Sequence, residues 1–332
     1  MSPVLTRGRS RPSLHVGLVN NMPDAALAGT ERQFAQLFVA AAPEMSIRFS
    51  LFSLDGIPRN EAGREHLVQN GYRGAWELPE AGLDALIVTG TEPKLPILEQ
   101  EPYWPALARI FDWLEHDGPP VLFSCLAAHA AVQHFNGIRR RRLAKKCFGM
   151  FAHIRAGRSR LTEGLAPEAY VAHSRWNEIS VGDLARCGYQ ILTFAPDAGA
   201  NLFVREKRNT WLFFQGHPEY DPGALGREYH RDVRRYLAAE RDAYPALPKN
   251  YFSTGERALL AAFAERALIL RDERLMEEFP VPAHSRGFDK GWQAPGGAGV
   301  IGMWLKQIAD AKLDTATFGR ADRVGSLVVS QP

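Results

Sequence analysis

The amino-terminal part of the chain alternates between short apolar runs and longer helix-like stretches, and this alternation limits the folds open to it. The apolar runs have the length and composition of buried strands, and helical periodicity separates several of them. Such alternation with short connections is typical of a parallel sheet covered by helices on both faces. The predicted strands are His15–Asn20, Ser46–Leu54, Ala85–Thr89 and Val121–Ser124, and the predicted helices are Thr30–Ala41, Trp104–His116 and Leu126–Phe135.

Further along the chain the pattern changes to a run of strands followed by helices. Asp221 and Pro222 predict a capped helix start, because proline suits the first turn of a helix. Three apolar runs without helices between them predict a meander, at Tyr189–Phe194, Leu202–Glu206 and Trp211–Gln215. The predicted helices are Pro222–Glu240, one near Gly255–Glu277 and one near Ile301–Asp310, and a glycine-rich loop is predicted over Gly287–Gly299.

Composition excludes several classes of protein. With 45% hydrophobic and 23% charged residues among 332, the chain is expected to form a soluble globular protein with a sizeable core. No apolar run has the length needed to cross a membrane, and the net charge of +3 gives no electrostatic footprint for nucleic acid. The first 13 residues are basic but lack an apolar segment, so we expect a tail rather than a secretory signal.

The three cysteines, Cys125, Cys147 and Cys187, indicate a reducing compartment. They lack CxxC spacing and cannot all pair, so we expect neither a disulfide framework nor a metal site. The sequence therefore predicts a cytoplasmic protein.

Cys125 stands at a predicted corner between a strand and a helix. The apolar run Val121–Ser124 stops at this residue, and the predicted helix begins at Leu126. A sulfur at such a corner lies near unpaired N–H groups and the positive end of the helix dipole, which favours the nucleophilic thiolate. The amide of Leu126 is then a candidate donor to a developing oxyanion. The alternative is a buried structural cysteine, because the flanking serine and alanine are not the expected glycines.

A second strand-like run ends at the polar cluster Gly216-His217-Pro218-Glu219. Proline blocks a helix at this point, so His217 and Glu219 are expected in an extended or turn segment where they can meet. Glu219 can accept from one ring nitrogen while the other faces a nucleophile, which is the logic of a catalytic triad. Two strand ends with these residue types make Cys125, His217 and Glu219 the leading catalytic hypothesis.

At this point the chain resembles a known family, homoserine O-succinyltransferase of methionine biosynthesis, within the class I glutamine-amidotransferase-like superfamily. The resemblance runs from about Val16 to Asp310. It implies an α/β, flavodoxin-like fold, with a mostly parallel sheet flanked by helices and further helices at the carboxyl end. The residues that carry it, in order, are Asn21-Met22-Pro23, Thr30-Glu31, Leu86-Ile87-Val88-Thr89-Gly90, Tyr103-Trp104, Cys125, Lys146, Gly149, His173-Ser174-Arg175, Gly216-His217-Pro218-Glu219-Tyr220-Asp221, Arg231-Asp232 and Asn250-Tyr251-Phe252.

The family resemblance implies a ping-pong acyl transfer without a bound cofactor. Cys125 would attack the thioester of an acyl-CoA, most simply succinyl-CoA as co-substrate, and form an acyl-enzyme. His217, oriented by Glu219, would then take the proton from the hydroxyl of an amino-acid acceptor. Such general-base catalysis typically contributes ~10²–10⁴-fold.

The resemblance also implies roles for residues outside the triad. The turn at Gly90 and Thr91 would join the amide of Leu126 in stabilising the oxyanion. Arg231 would hold the acceptor's carboxylate, a task that suits a bidentate guanidinium. Lys146 and Ser174 match positions that contact substrate, whereas His173 and Arg175 are expected to be structural.

The chain departs from the family at two places. The Asn-x-Met-Pro segment is usually followed by lysines, but here it continues with Asp24-Ala25-Ala26-Leu27. At the position associated with acyl choice, usually glycine or glutamate, this chain has Lys94. Since a lysine can pair with a terminal carboxylate, we expect a dicarboxylic acyl donor; the alternative is that Lys94 points to solvent.

The run Arg139–Arg142 follows the predicted nucleophile helix. It could contact the phosphates of CoA, or it could be a solvated charge run.

Four alternatives stay open on sequence grounds. The acceptor could be L-serine or another hydroxy amino acid, the donor could be acetyl-CoA, the protein could be a class I glutaminase, or the fold could serve as a regulatory module. We expect a homodimer in contact through the carboxyl-terminal helices, small-molecule substrates, and neither membrane nor nucleic acid as a partner. The expected organisation is a disordered basic tail over residues 1–13, the acyltransferase domain over 14–252, its helical extension over 253–312 and a tail over 313–332.

Overall fold

The main sheet consists of eight strands in the computed structural model, which describes residues 11–163, 165–280 and 297–324. Six adjacent strands, counted from one edge of this sheet, pair in parallel with their neighbours. The two pairings at the other edge are antiparallel. The order across the sheet is β3 (Arg73–Gly74), β2 (Ser46–Ser53), β1 (Ser13–Val19), β4 (Ala85–Val88), β5 (Val121–Ser124), β12 (Thr210–Phe214), β11 (Leu202–Glu206) and β8 (Gln190–Ile191).

Helices cover both faces of this sheet. The helices are α1 (Leu27–Ala41), α2 (Glu61–Gln69), α3 (Trp104–His116), α4 (Leu126–Asn136), α5 (Val181–Arg186), α6 (Ala224–Leu237), α7 (Thr254–Leu270) and α8 (Ala298–Val324). Leu86 and Val88 of β4 face a core formed with α3 and α4, whereas Ala85 and Ile87 face a core formed with α1 and α8. Because both faces are covered, the central strands are continuously apolar.

A second, smaller sheet lies beyond the main one. Its order is β10 (Gly199–Ala200), β9 (Thr193–Ala195), β6 (Arg141–Arg155) and β7 (Glu168–Glu178), all antiparallel. Phe148 of β6 and Ala172 of β7 pack with α6 and α7 in a third core cluster. The sequence did not predict β6 and β7, because charged and polar side chains dominate their exposed positions and hide the period-two pattern.

The predicted sheet flanked by helices is confirmed, and most predicted segments begin and end within three residues of the observed ones. The prediction that Pro222 opens a helix is wrong: α6 begins at Ala224 after Gly223. Asp221 Oδ1 accepts a hydrogen bond from the Gly223 amide at 2.9 Å, so Asp221 and Pro222 form a turn before the helix.

The two predicted tails overlap secondary structure. β1 begins at Ser13, because this residue pairs with Ser46 of β2. At the other end α8 continues to Val324, beyond the predicted end of the helical extension. Residues 1–10 of the first tail, residues 325–332 of the second and most of the predicted glycine-rich loop lie outside the described residues. Among the described residues, no helix is both long and apolar enough to span a bilayer.

Candidate active site

Cys125 occupies a strained turn between β5 and α4. Its φ of 52° and ψ of −110° are unfavourable for a residue with a side chain, and conformations of this kind cost about 1–3 kcal/mol. The Cys125 amide donates to the carbonyl of Phe214 at 2.7 Å, which ties the turn to β12. The side chain is partly exposed. The turn therefore presents the sulfur beyond the carboxyl edge of the sheet, as in a nucleophile elbow.

Gly90 lies against the first amide of α4. A methyl group added at Gly90 would stand 2.9 Å from the nitrogen of Leu126 and 2.9 Å from its Cβ, closer than real side chains approach. The amides of the first turn of a helix have no carbonyl partner within the helix. Only glycine therefore leaves the space beside the Leu126 amide that an oxyanion would need. Thr91 follows at a partly exposed position.

The Asn21-Met22-Pro23 segment fixes the end of β4 beside this space. The Asn21 amide donates to Thr89 Oγ1 at 2.8 Å, and its side-chain nitrogen donates to the carbonyl of Thr89 at 3.0 Å. The segment is held in turn by the buried Arg59, which donates to the carbonyl of Met22 at 2.5 Å and to Asp24 at 3.1 Å. Asp24, which departs from the family pattern, is thus an anchor of this segment.

His217 and Glu219 follow β12 and turn back toward Cys125. The His217 amide donates to the carbonyl of Ala172 in β7 at 2.9 Å, so the second sheet fixes its backbone. Its Nδ1 lies 2.9 Å from Glu219 Oε1, and the ring also hydrogen-bonds Cys125. The Tyr220 ring stacks on the imidazole with the two centroids 4.1 Å apart. The structure therefore brings Cys125, His217 and Glu219 together from two separate strand ends.

The charges around His217 favour an imidazolium. Burial alone would lower the pKa of His217, but the negative charges of Cys125 and Glu219, together with their hydrogen bonds to the ring, raise it well above its ordinary value. We therefore expect the His217 ring to carry a proton before Cys125 is acylated. Converting the sulfur into a neutral thioester would remove one of the two negative charges, so the pKa of His217 would fall and the ring could accept a proton.

We expect the pKa of His217 to be lower in a Cys125→Ala variant than in the unaltered protein. The substitution removes the sulfur's charge and hydrogen bond but leaves burial and Glu219 in place. An NMR titration of the histidine ring signals measures the change, with the signals of the distant His134 as an internal control. An unchanged His217 titration would contradict the charge pairing between sulfur and ring.

A second cluster of polar residues adjoins the triad. Glu228 on α6 accepts hydrogen bonds from Ser174 Oγ at 2.5 Å and from the Tyr220 hydroxyl, whose ring covers His217. Lys146 Nζ lies 3.7 Å from Glu228 and 3.3 Å from the buried Asp232. This cluster therefore joins residues of β6 and β7 to α6 beside the imidazole.

Arg231 stands at the open side of this cluster. Its guanidinium donates to Asp232 at 2.8 Å, while 47% of its side chain stays exposed. The three predicted substrate-binding residues, Lys146, Ser174 and Arg231, thus converge on Glu228 and Asp232. Sequence reasoning missed Glu228. Its position three residues before Arg231 could have revealed it, because residues three apart lie on one face of a helix.

His173 and Arg175 lie beneath the site and are buried. His173 shares a 2.9 Å hydrogen bond with the ring of His153, and Arg175 Nε donates to its other nitrogen at 3.2 Å. Burial lowers the pKa of His173 well below its ordinary value, so the ring is neutral. Both residues support β6 and β7.

The run Arg139–Arg142 does not act as one charged patch. Arg142 lies over the exposed Trp176 ring at 4.5 Å, and Arg141 faces Asp183 at 3.7 Å. Arg140 instead turns inward and donates to main-chain carbonyls of the loop that follows Gly90. Lys94, in that same loop, is exposed. Whether the run Arg139–Arg142 contacts the phosphates of CoA stays a prediction.

Comparison with known proteins places these features in a family. A family model described as homoserine O-succinyltransferase matches residues 4–305. A protein of that name from Methylorubrum extorquens is 45% identical over 297 residues, which cover 90% of this chain and 88% of the relative. Its counterpart from Bradyrhizobium japonicum is 44% identical over 275 residues, covering 82% and 84%.

Solved structures agree on the fold. A glutamine amidotransferase from Thermotoga maritima aligns with a TM-score of 0.50 at 11% identity and covers 89% of this chain and 98% of its own. A glutamine amido transferase from Methylobacillus flagellatus aligns with the same TM-score at 14% identity, covering 90% and 95%. At these identities the likeness concerns the fold alone, and it confirms the predicted flavodoxin-like, amidotransferase-like class.

Proposed function

The chain belongs to the homoserine O-succinyltransferase family, and we propose that it transfers a succinyl group from succinyl-CoA to the hydroxyl of L-homoserine in methionine biosynthesis. The observation that carries this proposal is the 45% identity with a relative of that name over 90% of the chain. The arrangement around Cys125 supports it, because it supplies a nucleophile, a base and an open acceptor side.

The first half of the proposed reaction is acylation of Cys125. The thiolate attacks the thioester carbonyl of the acyl-CoA, and the developing oxyanion is stabilised by the Leu126 amide in the space that Gly90 leaves open. One such donor is worth about 3–4 kcal/mol in comparable sites. The intermediate collapses by breaking the bond to the CoA sulfur, and His217 gives its proton to that leaving thiolate.

The second half is transfer to the acceptor. Once the sulfur is acylated, His217 has lost both its proton and the neighbouring negative charge, so it can take the proton from the acceptor hydroxyl as that oxygen attacks. Glu219, 2.9 Å from Nδ1, holds the ring and stabilises its charged form. Both halves therefore use the same imidazole, first as acid and then as base.

Recognition of the acceptor falls to the cluster around Glu228. We assign the acceptor's carboxylate to Arg231, whose side chain is 47% exposed although its Nε and Nη2 donate to Asp232, with Lys146 beside it. The acceptor's ammonium group suits the negative charge of Glu228. Ser174 contacts Glu228 and shapes this pocket.

Replacing Arg231 with lysine should raise the KM for homoserine by ~10–100-fold and change the KM for acyl-CoA little. Lysine keeps the charge but loses the two-pronged contact with a carboxylate. Steady-state kinetics with each substrate varied in turn measure the effect, and Arg234→Lys on the same helix is the matched control. Equal effects on both substrates would contradict the assignment of Arg231 to the acceptor.

A glutaminase is the second candidate, because the solved neighbours with this fold are amidotransferases. The identity of 45% with a relative named homoserine O-succinyltransferase, against 11–14% with the amidotransferases, favours acyl transfer. L-Serine as acceptor and acetyl-CoA as donor remain variants of the same chemistry.

Intact-protein mass spectrometry tests the proposal. Incubation with succinyl-CoA should add the mass of one succinyl group at Cys125, and homoserine should remove it with release of O-succinylhomoserine. Parallel samples contain acetyl-CoA, L-serine or glutamine. Release of ammonia from glutamine, without any acylation by acyl-CoA, would replace the proposal with the glutaminase.

The assembly and location belong to the same proposal. We propose a homodimer that forms through the carboxyl-terminal helices, since α7 exposes Leu259, Ile269 and Leu270, and sedimentation velocity tests this. We place the reaction in the cytoplasm, where reducing conditions keep the Cys125 thiol free.

A further inference from the structure

The loop between Gly90 and α3 is held in place by two charged side chains. Arg140 Nη2 donates to the carbonyls of Leu95 and Pro96, at 3.3 Å each. From the other side Glu101, which is buried, accepts from the Leu95 amide at 2.6 Å. The loop is therefore fixed against Arg140, which is itself half-buried.

Tyr103, at the end of this loop, carries a buried polar group without a partner. Its side chain is 4% exposed, and among the described residues its hydroxyl has no hydrogen-bond partner. An unsatisfied buried hydroxyl costs about 1–3 kcal/mol. A group that binds there during the reaction would remove this cost.

Arg140 holds the loop that follows Gly90, and the charge at Cys125 is among those that act on it. Burial lowers the pKa of Arg140, while the charges of Tyr103, Glu101 and Cys125 act in the opposite direction. An arginine remains charged at neutral pH. Among the described residues, Arg140 Nε and Nη1 have no hydrogen-bond partner, so they are available to a ligand.

We propose that Arg140 and the Tyr103 hydroxyl bind the terminal carboxylate of the acyl group while its carbonyl carbon is bonded to Cys125. The proposal rests on the proposed function and names the part of the site that selects a dicarboxylic donor. In a succinyl group the carboxylate carbon is three carbon–carbon bonds from the thioester carbon, a span of at most about 4 Å. A carboxylate there accepts from the guanidinium and from the phenol, and charge-assisted bonds of this kind are strong.

This assignment differs from the sequence expectation for Lys94. Lys94 lies in the loop that Arg140 contacts, but its long, flexible side chain is exposed. Arg140 is fixed by two carbonyls and stands beside an orphaned hydroxyl. A donor pair fixed by the surrounding structure discriminates between ligands better than an exposed ammonium.

The test compares succinyl-CoA with butyryl-CoA, which has the same four-carbon acyl chain without the carboxylate. We expect the unaltered enzyme to prefer succinyl-CoA, and the ratio of the two kcat/KM values to fall ~10–100-fold in Arg140→Gln and to a smaller extent in Tyr103→Phe. Activity with butyryl-CoA should change less than about threefold. Arg140→Lys should recover part of the preference, and Arg160→Gln, at an exposed site, is the control.

Tyr103→Phe also separates binding from structure. Loss of an unpaired hydroxyl should leave the melting temperature unchanged or raise it, so a fall in succinyl preference cannot come from unfolding. Equal losses with both donors in Arg140→Gln would assign the arginine to holding the loop. An effect that disappears with succinyl-N-acetylcysteamine, which has no phosphates, would assign it to CoA.

The remaining outcomes are also distinguishable. Loss of succinyl preference in Lys94→Ala but in neither Arg140→Gln nor Tyr103→Phe would return the role to Lys94 and overturn the proposal. An unaltered enzyme that acylates Cys125 equally fast with both donors would remove the proposal and leave acyl transfer in place. No acylation of Cys125 with any acyl-CoA would instead remove the proposed function.

Discussion

Replacing Cys125 with alanine should reduce acyl transfer at least ~10³-fold and abolish the covalent intermediate, because no other group of the triad can form the thioester. The expected residual rate comes from the oxyanion space and substrate binding alone. Product formation by chromatography and intact-protein mass after incubation with succinyl-CoA measure the two effects together.

The two other cysteines provide the control for this substitution. Cys187→Ala changes a partly exposed sulfur and Cys147→Ala a buried one, and neither is near His217 in the hydrogen-bond network. Both variants should keep the activity within a few-fold of the original. A succinyl adduct on Cys125→Ala protein, or full activity of that variant, would contradict the proposed mechanism.

Replacing Gly90 with alanine should reduce kcat by ~10²–10³-fold while leaving Cys125 and His217 unchanged. The added methyl would stand 2.9 Å from the Leu126 nitrogen, so it would occupy the space of the oxyanion or shift the amide that stabilises it. Losing one such donor has this magnitude in comparable enzymes. Single-turnover acylation, followed by release of CoA thiol, measures the step directly.

Gly29→Ala is the matched control, because a methyl at Gly29 meets nothing within 4 Å in α1. That variant should be as active as the unaltered protein and at least as stable, since alanine favours a helix over glycine. If Gly90→Ala acylated Cys125 at the original rate with an unchanged melting temperature, the Leu126 amide would not be the oxyanion donor.

The candidate site draws residues from both sheets, whereas an alternating βαβ pattern requires only the main sheet. The main sheet supplies Cys125 and the strand that leads to His217, whereas β7 of the second sheet anchors the His217 amide through Ala172. The proposed acceptor cluster also spans both parts, since Lys146 and Ser174 come from the second sheet and Glu228 from α6. Loss of the second sheet would therefore affect His217 and the proposed acceptor cluster together.

The sequence by itself determined the elements with strong local signals. Continuous apolar runs predicted β4 and β5, because parallel strands covered on both faces need apolar residues on each side. The abrupt ends of two such runs located Cys125 and the His217–Glu219 pair. Family landmarks in order and spacing predicted the family, although many of them lie inside strands and helices rather than at their ends.

Tertiary structure alone decided the features that depend on residues distant along the chain. The strain at Cys125 and the fit of Gly90 against Leu126 follow from how strands and helices pack, and no local pattern encodes them. In the sequence Arg140 is one of four consecutive arginines, and nothing distinguishes it from the others. In the fold, the path of the chain after α4 turns Arg140 inward, and two carbonyls hold its guanidinium. Side-chain contacts between elements arise from packing, so composition and periodicity predict the elements but not the pairs of residues that meet between them.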